Sequence, residues 1–120
     1  MILMRKNYFS KLQKVIILYI GVITKSQNKK YMKMIDVSRG LKKHLKLNEL
    51  YKDQNSFNIT LFNSITSLKE RKVVVRLRRC IGLTDKGREI ARQVREEIIK
   101  KYGTIDWEKV RLYYGSKETE

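Results

Sequence analysis

The sequence predicts an α+β fold that is mostly helical, with a three-helix core, a short β-hairpin and one or two C-terminal helices. Three observations support this class. Apolar residues recur at helical spacing in several separate segments. The β-branched run Val73-Val74-Val75 is followed by residues of alternating polarity, a pattern typical of a strand. The chain has 120 residues, enough to bury one hydrophobic core but not two.

The first half of the chain predicts two helices and a short strand. A helix over residues 8–23 is predicted by a buried stripe at spacings of three and four: Leu12, Val15, Ile16, Tyr19, Val22 and Ile23. A short strand is expected over residues 31–35. Asp36 is then a candidate N-cap for a helix over residues 37–45. Residues 46–55 fall out of phase with that helix, so we expect a break with one helical turn capped by Asn48.

The second half predicts a helix, a hairpin and two further helices. Leu61, Ile65 and Leu68 define the buried face of a helix over residues 58–71, with Phe62 at the edge of that face. Residues 73–78 and 80–83 predict two strands joined by a tight, basic turn. Thr84 is the expected cap of a long helix that stops at Gly103. A last helix is predicted to carry the apolar residues Trp107, Val110 and Tyr114, and to close at Gly115.

The charge of the chain is large and unevenly distributed. The formal net charge is +16. Residues 1–83 hold 19 Lys or Arg and 4 Asp or Glu, a net charge of +15, whereas residues 84–120 hold 9 and 8, a net charge of +1. Such an imbalance repels itself unless a polyanion offsets it. Nucleic acid is therefore the expected partner, with an anionic membrane surface as the second choice.

Several other classes are disfavoured. Cys80 is the only cysteine, which excludes an intramolecular disulfide and fits a cytoplasmic setting. His44 is the only histidine and is expected to be an exposed helix residue, so no metal site or cofactor is predicted. The carboxylates of residues 1–83 are scattered, which argues against an enzyme. The apolar run 15–23 is too short to span a bilayer, so no membrane insertion is expected.

Three consecutive segments carry a resemblance to a known family. They read NITLFNSITSLKERKVV, VRLRRCIGLT and TDKGREIARQ. They resemble the recognition helix, the wing and the post-wing helix of winged helix-turn-helix proteins, as in MarR-like and PadR-like regulators. The order of elements predicted for the whole chain, helix, strand, helix, helix, hairpin and helix, is also that of this family. Two features depart from that pattern: the segment before the recognition helix is long, and the wing is short.

The resemblance implies a transcriptional regulator that binds double-stranded DNA with a winged helix-turn-helix domain over residues 1–101. Residues of the recognition helix would meet bases in the major groove, and basic residues would contact backbone phosphates. The candidate DNA-binding residues are Asn58, Thr60, Asn63, Ser64, Ser67, Lys69, Lys72, Arg76, Arg78, Arg79, Ser38 and Arg39. The Asn-, Ser- and Thr-rich recognition helix, which offers no outward Arg, favours A·T-rich DNA.

Residues 102–120 form a C-terminal helix and tail that is a possible dimerisation element, because bulky aromatic residues are favoured at protein interfaces. The candidate contacts in a homodimer are Ile98, Tyr102, Trp107, Val110 and Tyr114. Alternatively, these side chains cover the first helix within one protomer. Two other functions stay open: a non-specific, architectural or replication-associated DNA-binding protein, and a winged-helix module that binds only protein.

Overall fold

The computed structural model describes residues 8–115 and confirms an α+β chain that is mostly helical, with a small three-stranded antiparallel sheet. In chain order the elements are α1 (Lys11–Ser26), β1 (Met32–Lys33), α2 (Met34–Leu45), a 3-10 turn (Leu47–Leu50), α3 (Gln54–Glu70), β2 (Val74–Leu77), β3 (Cys80–Leu83), α4 (Asp85–Tyr102) and α5 (Trp107–Gly115).

Helix α1 is the centre of the molecule. Residues 15–20 are buried without interruption, and six consecutive residues cover more than one helical turn, so this part of α1 is enclosed on every side. The helix begins at Lys11, later than predicted, because Ser10 and Gln13 form a reciprocal capping box. It also continues beyond residue 23 and ends at Ser26.

The sheet has the order β1-β3-β2. The predicted strand over residues 31–35 is reduced to two residues, because α2 begins at Met34. The Met34 amide still donates to the Arg79 carbonyl at 2.7 Å, one step beyond the last β1–β3 pair. The assignment of Asp36 as the N-cap of α2 is therefore wrong, since Asp36 lies inside the first turn and Lys33 occupies the cap position. This arrangement places β1 beside the β2–β3 hairpin.

Helix α3 starts at Gln54, four residues before the predicted start. Asp53 is its N-cap and accepts a hydrogen bond from the Ser56 amide at 2.8 Å. Hydrogen bonds from the backbone and side chain of Ser56 lower the pKa of Asp53. The additional turn brings Phe57 into the core, where it is fully buried with Leu61, Ile65 and Leu68. The preceding break contains the 3-10 turn, in which Leu47 is buried and Lys46 has a left-handed backbone.

Thr84 joins the beginning of β2 to the beginning of α4. Its hydroxyl accepts from the Gly87 amide at 3.1 Å, which confirms the predicted cap, and it lies 2.7 Å from the Lys72 carbonyl and 3.0 Å from the Val73 carbonyl. One hydroxyl thus closes the base of the hairpin and starts the following helix. At the other end, Gly103 has a φ of 85°, the left-handed conformation that ends α4 as predicted.

Replacing Thr84 with alanine is expected to lower the free energy of unfolding by about 1–2 kcal/mol, because the cap and the hairpin bridge are lost together. Thr84→Ser keeps the hydroxyl and is the matched control. Urea unfolding followed by circular dichroism measures both variants. Equal stability of Thr84→Ala and the unaltered protein would contradict the bridging role.

Helix α5 packs back onto the same core. Val110 and Tyr113 are buried in one cluster with residues of α1 to α4. The Trp107 ring stacks on His44 with centroids 5.4 Å apart and lies 5.3 Å from the Tyr19 ring. The predicted division between residues 101 and 102 stays a prediction, and its outer limits, residues 1–7 and 116–120, lie outside the described part of the chain.

Candidate nucleic-acid interface

The outward side of α3 is wide and largely uncharged. Its buried residues lie along one stripe, which turns the rest of the helix to solvent. The exposed residues are Gln54, Asn55, Asn58, Ile59, Phe62, Asn63, Lys69 and Glu70. We call this set the α3 outer face. Of the predicted contacts, Asn58, Asn63 and Lys69 lie on it.

Three other predicted contacts on this helix are less accessible. Thr60, Ser64 and Ser67 are half-buried, since they flank the stripe that packs into the core. They border the α3 outer face rather than forming it. Asn58 is exposed and accepts a hydrogen bond from the Gln54 side chain at 3.2 Å.

Two apolar side chains lie on the α3 outer face. Phe62 is 59% exposed and Ile59 is 51% exposed. The expectation that Phe62 borders the buried stripe is wrong, because the stripe runs through Phe57 and Leu61 and turns Phe62 away from the core. Because the stripe begins at Phe57, one residue before the predicted start of the helix, the α3 outer face also includes Gln54, Asn55 and Phe62, which are not among the predicted contacts.

The hairpin carries two arginines at its tip and a third on β2. Arg78 and Arg79 form the two-residue connection between β2 and β3 and are exposed, whereas Arg76 is half-buried on β2. The Nε of Arg76 is buried without a hydrogen-bond partner within residues 8–115, and one of its terminal nitrogens lies 3.5 Å from the Arg78 carbonyl. The backbone of Arg78 has a φ of 55°.

Left-handed backbone positions in this protein are occupied mainly by cations. Of the four non-glycine residues between positions 8 and 115 with positive φ, three are basic: Lys46 at 53°, Lys72 at 63° and Arg78 at 55°. This conformation costs an L-residue on the order of 1 kcal/mol relative to glycine. Each position therefore carries a cation where a glycine would be less strained.

The cations of this region lack carboxylate partners. The ion pairs found within residues 8–115 are Lys14–Glu97, Arg88–Asp85, Arg92–Glu89, Arg92–Glu96 and Arg111–Glu49. None of them involves a cation of α2, α3 or the hairpin. Exposed Lys69 and Lys72, at the end of α3 and just beyond it, belong to this uncompensated set together with the hairpin arginines. The cations of α2, α3 and the hairpin are thus not paired with carboxylates, whereas Arg88 and Arg92 of α4 are.

The two predicted contacts on α2, Ser38 and Arg39, lie in different surroundings. Ser38 is the fifth residue of α2 rather than the second, as the predicted bounds 37–45 imply, so its amide lies beyond the free N–H groups of the first turn. Ser38 is half-buried. Arg39 is exposed, but it lies one residue, or about 100°, further around the helix and lines a groove with α1.

The predicted dimerisation residues pack mainly within the protomer. Ile98 and Val110 are buried in its core and are not accessible to a second chain. Tyr102, Trp107 and Tyr114 are half-buried against the same core. The Tyr114 hydroxyl lies 3.2 Å from that of Tyr51, and burial followed by this hydrogen bond raises the pKa of Tyr114. Trp107 covers part of α1 through Tyr19, whereas Tyr114 contacts Tyr51, and the homodimer stays a prediction.

Residues 8–115 contain no group of three or more His, Cys, Asp or Glu placed to hold a metal ion. Within the same range, no helix has both the length and the apolarity needed to cross a membrane.

Comparison of the chain with models of known protein families, with curated proteins and with solved structures finds no match.

Proposed function

We propose that this protein binds double-stranded DNA as a winged helix-turn-helix protein, with the α3 outer face in the major groove and the hairpin on the phosphate backbone. The observation that carries the proposal is a helix whose outward face is nearly uncharged, together with exposed cations that form no ion pair within residues 8–115, at the C-terminal end of that helix and at the hairpin tip: Lys69, Lys72, Arg78 and Arg79. Helix α3 has 17 residues, a length of about 25 Å, which fits a major groove.

The order of elements supports the winged-helix interpretation. A helix, a short strand, two helices and a hairpin precede α4, and the short strand adds to the hairpin to make one antiparallel sheet. In such proteins the helix before the hairpin enters the major groove. In this chain that helix is α3, and the hairpin tip carries Arg78 and Arg79.

The chemistry of the α3 outer face favours A·T base pairs. Asparagine can pair with N6 and N7 of adenine, and an apolar side chain can contact the thymine methyl group. Asn58 and Asn63 supply the first kind of contact, and Ile59 and Phe62 supply the second. This face has no arginine, the usual partner of guanine.

Fluorescence anisotropy of a labelled duplex between ~50 and 300 mM salt tests DNA binding. The logarithm of the association constant falls with the logarithm of salt concentration by about 0.9 per phosphate neutralised. Four phosphate contacts predict a slope of about −3.6. A slope near zero, or no binding at ~50 mM salt, would refute the proposal.

A comparison of A·T-rich with G·C-rich duplexes tests the role of the α3 outer face. We expect tighter binding to the A·T-rich duplex, by on the order of tenfold. Phe62→Ala should reduce this preference while leaving the salt slope unchanged, because Phe62 carries no charge. A strong preference for one selected sequence would support a transcriptional regulator. Equal affinity for all duplexes would instead support an architectural protein.

A further inference from the structure

A groove of about 600 Å³ lies between α1, β1, α2 and the first residue of β3, Cys80. The neighbouring face of α2 carries Lys42, whose ammonium lies 5.6 Å from the centre of the Phe57 ring of α3. Lys43, which lines the groove, is rotated from Lys42 by about 100°. None of the residues that line the groove belongs to α3, so the groove is separate from the α3 outer face. Its volume falls in the range of roughly 300–1,000 Å³ typical of small-molecule sites.

The charge of the groove is strongly positive. It is lined by four cationic side chains and one carboxylate: Lys29, Lys33, Arg39, Lys43 and Asp36. These cations come from three separate parts of the chain, the loop after α1, β1 and α2. None of the four forms an ion pair within residues 8–115. A concave surface focuses such a field and concentrates anions in it.

Tyr19 forms part of the groove wall and supplies a neutral hydrogen-bond donor. Tyr19 is 4% exposed and lies at the edge of the groove. The ring fits under α2 only because residue 40 is glycine, since a Cβ there would lie 1.7 Å from the hydroxyl oxygen. Burial, followed by the nearby Asp36 carboxylate, raises the pKa of Tyr19, so the hydroxyl stays protonated at neutral pH.

We propose that this groove binds a small molecule with two or more phosphate groups, of the size of a nucleotide. Arginine and lysine are the side chains that bind phosphate oxygens, and the Tyr19 hydroxyl adds a donor. Asp36 can accept a hydrogen bond from a ligand hydroxyl. Ile23, Tyr31 and Met32 give the groove an apolar wall for the rest of the ligand.

Calorimetric titration with ATP and with inorganic triphosphate at ~150 mM salt, in the absence of DNA, tests the site. The variant Lys33→Gln/Lys43→Gln removes two groove cations that lie outside the predicted DNA contacts. The control Lys100→Gln/Lys101→Gln removes the same charge from the exposed end of α4. We expect the groove variant to raise the Kd of both ligands by tenfold or more, and the control to change it less than twofold.

The hydroxyl of Tyr19 is tested by Tyr19→Phe, which keeps the ring and is expected to raise the Kd several-fold without changing the thermal unfolding temperature. Absence of binding to the unaltered protein would overturn the proposal. Equal weakening by the groove and control variants would also overturn it, because it would show general attraction of anions.

Measuring duplex affinity in the same variants distinguishes this site from the proposed DNA surface. Duplex affinity should respond to the hairpin arginines and change little in Lys33→Gln/Lys43→Gln. If the groove variant weakens duplex binding as strongly as the hairpin substitutions do, the groove is part of the DNA surface and the proposal is wrong. Because ligand binding is measured without DNA, failure of the DNA-binding proposal leaves this test intact.

Discussion

The double substitution Arg78→Gly/Arg79→Gln is expected to weaken duplex binding by roughly 60-fold at ~100 mM salt. Each phosphate contact contributes about 0.9 to the salt slope, which amounts to nearly tenfold in affinity at this concentration. Removing both cations should also make the slope less negative by about 1.8. Anisotropy titrations of the variant and the unaltered protein on one duplex measure both quantities.

Glycine at position 78 makes this experiment specific for the charge. The φ of 55° is unfavourable for arginine and acceptable for glycine. Glycine also makes the unfolded chain more flexible, which offsets part of that gain. We therefore expect the free energy of unfolding to stay equal or to rise by up to about 1 kcal/mol. A loss of affinity in this variant cannot then be attributed to unfolding.

The control for the hairpin experiment is Lys100→Gln/Lys101→Gln, which lowers the net charge by the same amount far along the chain from the hairpin. It should weaken duplex binding less than threefold at ~100 mM salt. An equal loss in both variants would show that total charge, rather than the hairpin, determines affinity.

Replacing Phe57 with alanine is expected to lower the free energy of unfolding by about 3–5 kcal/mol. The ring is fully buried, and it contacts Tyr51 edge-on with centroids 5.4 Å apart. It thereby holds the first turn of α3 against the core and against the segment that follows the 3-10 turn. Deleting it leaves a cavity and frees the beginning of the helix.

Phe62→Ala is the matched control, since it removes the same side chain from the same helix at an exposed position. Its free energy of unfolding should change by no more than about 0.5 kcal/mol. Urea unfolding curves of the two variants give the comparison. Similar losses at positions 57 and 62 would mean that the buried face of α3 is assigned wrongly.

Most of the elements could be predicted from the sequence because their signals are local. The stripe Leu61, Ile65 and Leu68 identified α3, and Thr84 and Gly103 marked both ends of α4 through hydrogen bonding and backbone conformation. The errors occur where a contact between residues far apart in the sequence determines the local structure. β1 forms by pairing with Ile81 and Cys80 of β3, which are far along the chain, so its length leaves no local pattern.

The candidate site was predicted only in part for a related reason. The basic composition of residues 71–79 is a local property and pointed to the hairpin. Phe57 and Phe62 have the same chemistry, so only the phase of the helix separates the buried ring from the exposed one. The stripe Leu61, Ile65 and Leu68 has the phase that buries a residue four positions before Leu61, which is Phe57. The start of α3 left no clear signal, because Asp53, its cap, lies in a segment whose apolar pattern is irregular.

The groove beside α2 had no signal in the sequence. Lys29, Lys33 and Lys43 come from the loop after α1, from β1 and from α2, and their proximity is a result of how these elements pack. The amphipathic pattern of α2 does not explain a glycine at position 40. Its role is visible only when the Tyr19 ring is seen beneath it.

The central position of α1 has a consequence for synthesis of the chain. Its main packing partner is α4, which begins about 60 residues later. At roughly 5–20 residues per second, the ribosome takes several seconds to make that intervening stretch. During this time the most apolar helix of the protein has no complete partner surface. Nascent α1 is thus the segment most exposed to chaperones and to aggregation before folding is complete.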